Sequence, residues 1–187
     1  MDEYSYLSVL IAIILGLAIT QILQGFRGLL HFRHTVTLYW PSLVWAFLIL
    51  LIAVQSWWAS FGLRHQAHWN FIGFIVVLLE NTCIYMVAAL VLPDFAEERQ
   101  VDLRRSYFRQ VPWFYGLFIV ALLFSLLKDV VLAGNLPYGA NLWFQVFFIA
   151  GSAALIAIRN ETFHKVYTIL SAALFLAYIA DLFRDLH

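Results

Sequence analysis

The chain has 187 residues, of which 64% are hydrophobic and only 12% charged, and its mean hydropathy is +0.85. Soluble domains are about half apolar and about a quarter charged, so a water-soluble fold of this size is excluded and lipid is the expected solvent. The formal net charge of +0 and the lack of a basic tail argue against a nucleic-acid partner.

The amino terminus begins Met-Asp-Glu. It is acidic where a secretory signal is basic, so the first apolar run is expected to stay in the protein as a helix. A spanning helix needs about 20 mostly apolar residues. Six segments qualify, over residues 4–23, 39–60, 71–92, 113–133, 142–158 and 162–182, the first continuing as helix to about Leu30. The predicted fold is therefore all-α: an integral membrane bundle of six transmembrane helices, with residues 1–187 forming one transmembrane domain. Trp40, Trp57, Trp58, Trp69, Trp113 and Trp143 all fall near segment ends, as expected of side chains that favour the membrane–water interface; Trp45 alone lies deeper.

Helix one carries a stripe of small and polar residues, Ser5, Ser8, Ala12, Gly16, Thr20 and Gln24, spaced three or four apart. Gly151, Ser152 and Ala154 on helix five and Ser171, Ala173, Ala177 and Ala180 on helix six offer similar faces. Such faces let helices approach closely, so helix packing is the expected role, with a homo-oligomer contact or a pore lining as competing readings. The short link between helices five and six makes them antiparallel neighbours.

Lys and Arg set the orientation. Arg27, Arg33, Arg99, Arg104, Arg105, Arg109, Arg159 and Lys165 lie in or beside the loops after helices one, three and five. The other side holds Arg64, Lys128 and Arg184. The excess places the first group in the cytoplasm and both termini outside. The loop between helices three and four has acids first and arginines last, with Asp94 and Glu97 spaced as in a capping box. It is predicted to form a short cytoplasmic amphipathic helix over 94–110. Its expected role is a solvated linker; docking of a cytoplasmic partner or of anionic lipid is the sharper alternative.

The third helix contains the most informative residue. Glu80 lies within a residue or two of its centre, where a carboxylate costs about 3 kcal/mol on insertion scales. Burial disfavours the ionised form, so Glu80 is expected to be neutral or paired. Asn81 and Thr82 point about 100° and 200° away around the helix. The three therefore cannot all face one cavity, and Asn81 flanks the Glu80 face. Lys128 on helix four is the candidate partner. It lies about five residues beyond its helix midpoint, roughly 7–8 Å toward the outer face, and its side chain tilts back toward the helix N-terminus. Snorkelling of Lys128 outward to the interface, beside Asp129, is expected over the pair.

Gln55, Gln145, Ser8, Ser125, Tyr178 and Asp181 share the outer half of the bundle. They suggest a water-filled vestibule that opens outward and ends near Glu80. The plainer reading is a set of interhelical hydrogen bonds worth about 0.6 kcal/mol each. A proton, ion or polar-solute site would therefore be built on Glu80, Asn81, Lys128, Gln55 and Gln145.

His31/His34 and His65/His68 have a spacing that suits a metal. They fall on opposite membrane faces, however, and are read as interfacial loop residues, so neither a metal nor a cofactor is expected. The lone Cys83 is a small core residue. No nucleophile constellation stands out, which ranks a lipid-modifying enzyme last. The Asn160-Glu161-Thr162 sequon lies on the predicted cytoplasmic side and is discounted.

The runs "ILGLAITQIL", "YWPSLVWAF" and "QSWWASFGLR" resemble small polytopic inner-membrane proteins of bacteria. The resemblance implies a bacterial inner-membrane location and brings no activity or catalytic residue with it. Two functions follow as expectations: passage of a proton, ion or small polar solute through a polar centre around Glu80, or a non-catalytic membrane scaffold that packs against partner proteins.

Overall fold

The computed structural model describes residues 3–66, 69–95 and 101–184. Six helices run in chain order: α1 (Glu3–His31), α2 (Trp40–Ser60), α3 (Phe71–Leu90), α4 (Leu103–Ala133), α5 (Ala140–Ala157) and α6 (Glu161–Arg184). All six are long and apolar enough to cross a membrane. A 3-10 turn, Phe61–His65, follows α2. Two-residue strands, β1 (Val36–Thr37) and β2 (Val101–Asp102), pair in parallel, Val36 opposite Val101.

That strand pair gathers the arginine-rich loops at one end of the bundle, since it joins the α1–α2 connection to the start of α4. The Arg104 guanidinium, 2.7 Å from the Glu161 carboxylate, brings the start of α6 to the same place. Both side chains are well exposed, so the contact positions the loops more than it stabilises them.

Local chemistry explains the helix boundaries. Pro41 sits in the first turn of α2, where its missing N–H costs nothing. Asn70 caps α3 by accepting from the Gly73 backbone N–H at 2.7 Å. Asp102 caps α4, accepting from the N–H groups of Arg104 and Arg105 at 2.9 and 3.2 Å. Asn160 caps α6, accepting from Thr162 and Phe163; the sequon asparagine is thus a helix cap. Gly134 ends α4 in the left-handed conformation, φ 73°, which glycine adopts at no steric cost.

The segment 94–110 differs from the separate amphipathic helix expected there. Residues 96–100 lie outside the described set. Val101–Asp102 is extended and paired to β1, and from Leu103 onward the chain belongs to α4. Pro112 falls inside α4. The Asp102 cap starts the helix nine residues before that proline, and the arginine-rich stretch becomes the first turns of a 31-residue helix.

Helix α3 is central and packs most extensively on α4, then on α1; α5 leans on α4 and α6 on α2. The α1 contact face is Leu7, Ile11, Leu15, Ala18 and Ile22, all essentially buried. The small-residue stripe is not that face: Ala12, Gly16 and Thr20 are exposed, Ser8 is half-buried, and nothing lies within 4 Å of where a Gly16 Cβ would be. Packing between hydrocarbon helices is decided by shape, because lipid tails are as apolar as leucine. Here the branched aliphatics fill the groove over α3, and the stripe is turned about 100° away. Ala173 and Ala177 are likewise exposed on α6, where Ser171 and Phe175 face inward.

Close approach occurs at glycines instead. Gly151 lies directly under the Tyr167 ring, which places α5 against α6. Gly25 and Gly28 receive Leu92 and Phe95 from the segment that follows α3.

Candidate functional site: an ion pair at the floor of a polar cavity

Between α2, α3, α4, α5 and α6, in the half of the bundle away from the arginine-rich end, lies a cavity of about 380 Å³. Its wall includes Gln55, Glu80, Asn81, Ser125, Lys128, Asp129, Asn141, Gln145 and Tyr178. The five residues assigned to a polar site from the sequence therefore share one space. Ser8 does not join them. It sits on α1, away from the cavity, and its hydroxyl donates to the Ser5 carbonyl of its own helix at 2.9 Å. The side chain of Asp181 lies outside the described residues.

Lys128 does not snorkel. Its ammonium donates to both oxygens of the Glu80 carboxylate at 2.8 Å. Glu80 is 8% exposed, and turning Lys128 outward would leave that carboxyl without its cationic partner in an apolar surround. The extended Lys chain reaches back along α4 because side chains tilt toward the helix N-terminus, and α3 and α4 are the most closely packed pair.

The neighbours of Glu80 separate as helical geometry requires. Thr82 turns away and donates to its own helix at Leu78 O, 2.8 Å. Asn81, 5% exposed, lines the cavity. Its amide nitrogen donates to Val77 O at 2.8 Å. A backbone carbonyl only accepts, so this contact fixes which end of the amide is which. The Asn81 oxygen is left buried without a partner among the described residues. Gln145, also 5% exposed, repeats the pattern: its nitrogen is 3.4 Å from Asn141 Oδ1 and its oxygen has no partner. Cys83 is half-buried and packs in the apolar layer beside α1.

Aromatic rings close the cavity toward the arginine-rich end. Phe118 and Phe148 line it, with centroids 6.0 Å apart. Behind Phe118 stands Trp45, 1% exposed, ringed by Phe114, Tyr115, Phe118 and Tyr167 at 5.4–6.3 Å. Its indole N–H donates to Thr168 Oγ1 at 3.1 Å. Trp45 breaks the interfacial pattern of the other tryptophans because it is the centre of this plug.

Beyond the plug lies a polar feature the sequence reading passed over. His164 is 0% exposed at the start of α6. Its Nε2 is 3.0 Å from Ile158 O and so carries the proton. In neutral His164 the Nδ1 then accepts from the Tyr107 hydroxyl at 3.0 Å, and Tyr107 accepts from Tyr115 at 2.6 Å. The signal was present in the sequence: His164, Thr168 and Ser171 recur at four and three residues, an inward polar stripe on α6. Of the histidine pairs, His31 ends α1 against Phe32, and His34 receives Arg33 Nε at 3.2 Å. The His65 side chain and His68 lie outside the described residues.

Six helices of membrane-spanning length, surrounding a polar cavity with an ion pair at its floor, are compatible with a multi-pass membrane protein. Compared with protein-family models, curated proteins and solved structures, the chain matches none.

Proposed function

We propose that the chain is a multi-pass protein of the bacterial inner membrane that passes a proton, a cation or a small polar solute through the cavity around Glu80. One observation carries the reading: a partly buried Glu80–Lys128 pair lines a cavity of about 380 Å³ whose wall includes Asn81 and Gln145, each with a buried oxygen lacking a partner among the described residues. Ionisable groups inside a spanning bundle are costly and mark ion or substrate pathways. Pure structural glue needs no cavity beside it, and its polar atoms would satisfy one another.

The test is flux in liposomes reconstituted with the pure protein, under pH and cation gradients. Wild type is expected to carry a current or a pH change that Glu80→Gln lowers at least tenfold. No flux over a broad ion and solute panel rejects the reading, and equal flux in both proteins rejects the role of Glu80.

In this reading the arginine-rich end is cytoplasmic and both termini are outside. A carboxy-terminal alkaline phosphatase fusion is then expected to be active and the matching green fluorescent protein fusion dark. The reverse pair of results overturns the orientation.

The α1 stripe favours a second reading, a non-catalytic membrane scaffold. Ala12, Gly16 and Thr20 lie outside the chain's own packing. A partner recovered at fixed stoichiometry, together with absent flux, would select it.

A further inference from the structure

The unpartnered atoms buried deepest in the cavity wall share one chemical sense. Asn81 Oδ1 and Gln145 Oε1 are both hydrogen-bond acceptors, buried without a partner among the described residues. Each amide nitrogen already donates one hydrogen bond, Asn81 to Val77 O and Gln145 to Asn141 Oδ1. The charged lining residues are Glu80, Asp129 and Lys128, two acids against one base, which leaves one negative charge in excess. The walls between them include the rings of Phe118, Phe144, Phe148, Phe175 and Tyr178. Phe144 stacks on Tyr178 with centroids 4.8 Å apart and tilts against Phe148 at 4.6 Å. Aromatic faces attract cations. A wall of acceptors, net negative charge and rings suits a ligand that donates hydrogen bonds and carries positive charge on an organic body.

The site already holds such a group. The Lys128 ammonium is gripped by both Glu80 oxygens at 2.8 Å. It is an alkylammonium tethered to the wall, and an incoming ammonium would compete for the same carboxylate. Asp129 is the next residue on α4 and lines the same cavity, so a displaced Lys128 has a second carboxylate toward the open end. A volume of about 380 Å³ is at the small end of ligand pockets, which run about 300–1,000 Å³. At about 30 Å³ per water-sized group, that is room for about a dozen non-hydrogen atoms, so a small amine fits with accompanying water.

The geometry points to a binding site for a small organic ammonium ion, which takes Glu80 in exchange for Lys128 and donates to Asn81 Oδ1 and Gln145 Oε1. This rests on the reading of the cavity as a solute site and deepens it by naming the ligand class.

The experiment is calorimetric titration and ligand-induced thermal shift on the full-length protein in detergent. The probes are methylammonium, propylammonium and tetramethylammonium, with sodium, potassium, acetate and chloride for comparison. Propylammonium is expected to bind and raise the melting temperature, with acetate and chloride inert. Asn81→Leu removes an acceptor at similar volume and should weaken binding at least tenfold. Asp129→Asn, on a partly exposed residue, should weaken it several-fold. Lys128→Met removes the internal competitor and should tighten binding at least tenfold. Equal responses to propylammonium, sodium and acetate would overturn the proposal, and so would unchanged affinity in Asn81→Leu. If Lys128→Met does not fold, the two other variants decide. Binding without flux would remove transport and keep the ammonium site; flux without ammonium binding would do the opposite.

Discussion

Lys128→Met is expected to destabilise the folded chain by about 3–5 kcal/mol, the range for removing one partner of a buried ion pair. The loss is not simply that of two hydrogen bonds. Glu80 is 8% exposed, and the Lys128 ammonium holds both of its carboxylate oxygens. Without the ammonium the mostly buried carboxylate loses its cationic partner and both of the hydrogen bonds that hold it. The double variant Glu80→Gln/Lys128→Met removes both charges at similar volume and should recover all but about 1 kcal/mol, because well-packed neutral groups often replace a buried pair at little cost. The pair is thus placed for function more than for stability. Unfolding by denaturing detergent, followed by circular dichroism, measures all the species. A Lys128→Met protein as stable as wild type would show that the ammonium spends its time at the interface, as the snorkelling expectation held.

That expectation shows where sequence reasoning loses its hold. Six helices of spanning length were legible because length and hydropathy are properties of single segments, and bilayer thickness sets the length a span needs. The grouping of Glu80, Asn81, Gln55, Gln145 and Lys128 was legible from depth, since rise per residue places each along its helix. Rotation about each helix axis was not. In water an amphipathic stripe reveals it, but in lipid the outward and inward faces are both apolar. So the α1 stripe of Ser8, Ala12, Gly16 and Thr20 looked like a contact face, whereas Leu7, Ile11, Leu15 and Ile22 make the contact. The choice between pairing and snorkelling for Lys128 is the same ambiguity on α4. His164 was overlooked for another reason. It follows Arg159, Asn160 and Glu161 in a run that reads as interface, and only the fold buries it, under Tyr107 and Phe108.

Trp45→Ala is expected to cost about 3–5 kcal/mol, as truncation of large buried aromatics does, and to open the aromatic plug that closes the cavity toward the arginine-rich end. Both effects follow from one position. The indole is 1% exposed and meets Phe114, Tyr115, Phe118 and Tyr167. Edge-to-face ring pairs contribute about 0.5–1.5 kcal/mol each beyond their buried area. Phe118 separates Trp45 from the outer cavity. On the other side Trp45 lines a small void of about 10 Å³ with Ser42, Leu90, Tyr107 and Tyr115, room for about one water. Removing the indole merges that void with the space behind Phe118. The polar cavity would then stand one side chain from the Tyr115–Tyr107–His164 chain. Trp45→Phe keeps a ring but loses the donor to Thr168, so it should cost about 1–2 kcal/mol and leave the plug shut. Liposomes carrying Trp45→Ala should therefore leak protons faster than wild type with no other gradient imposed, while Trp45→Phe liposomes stay tight. If Trp45→Ala is destabilised and still proton-tight, then Phe118 and Phe148 alone close the cavity, and the tryptophan serves the packing of α2 against α4 and α6.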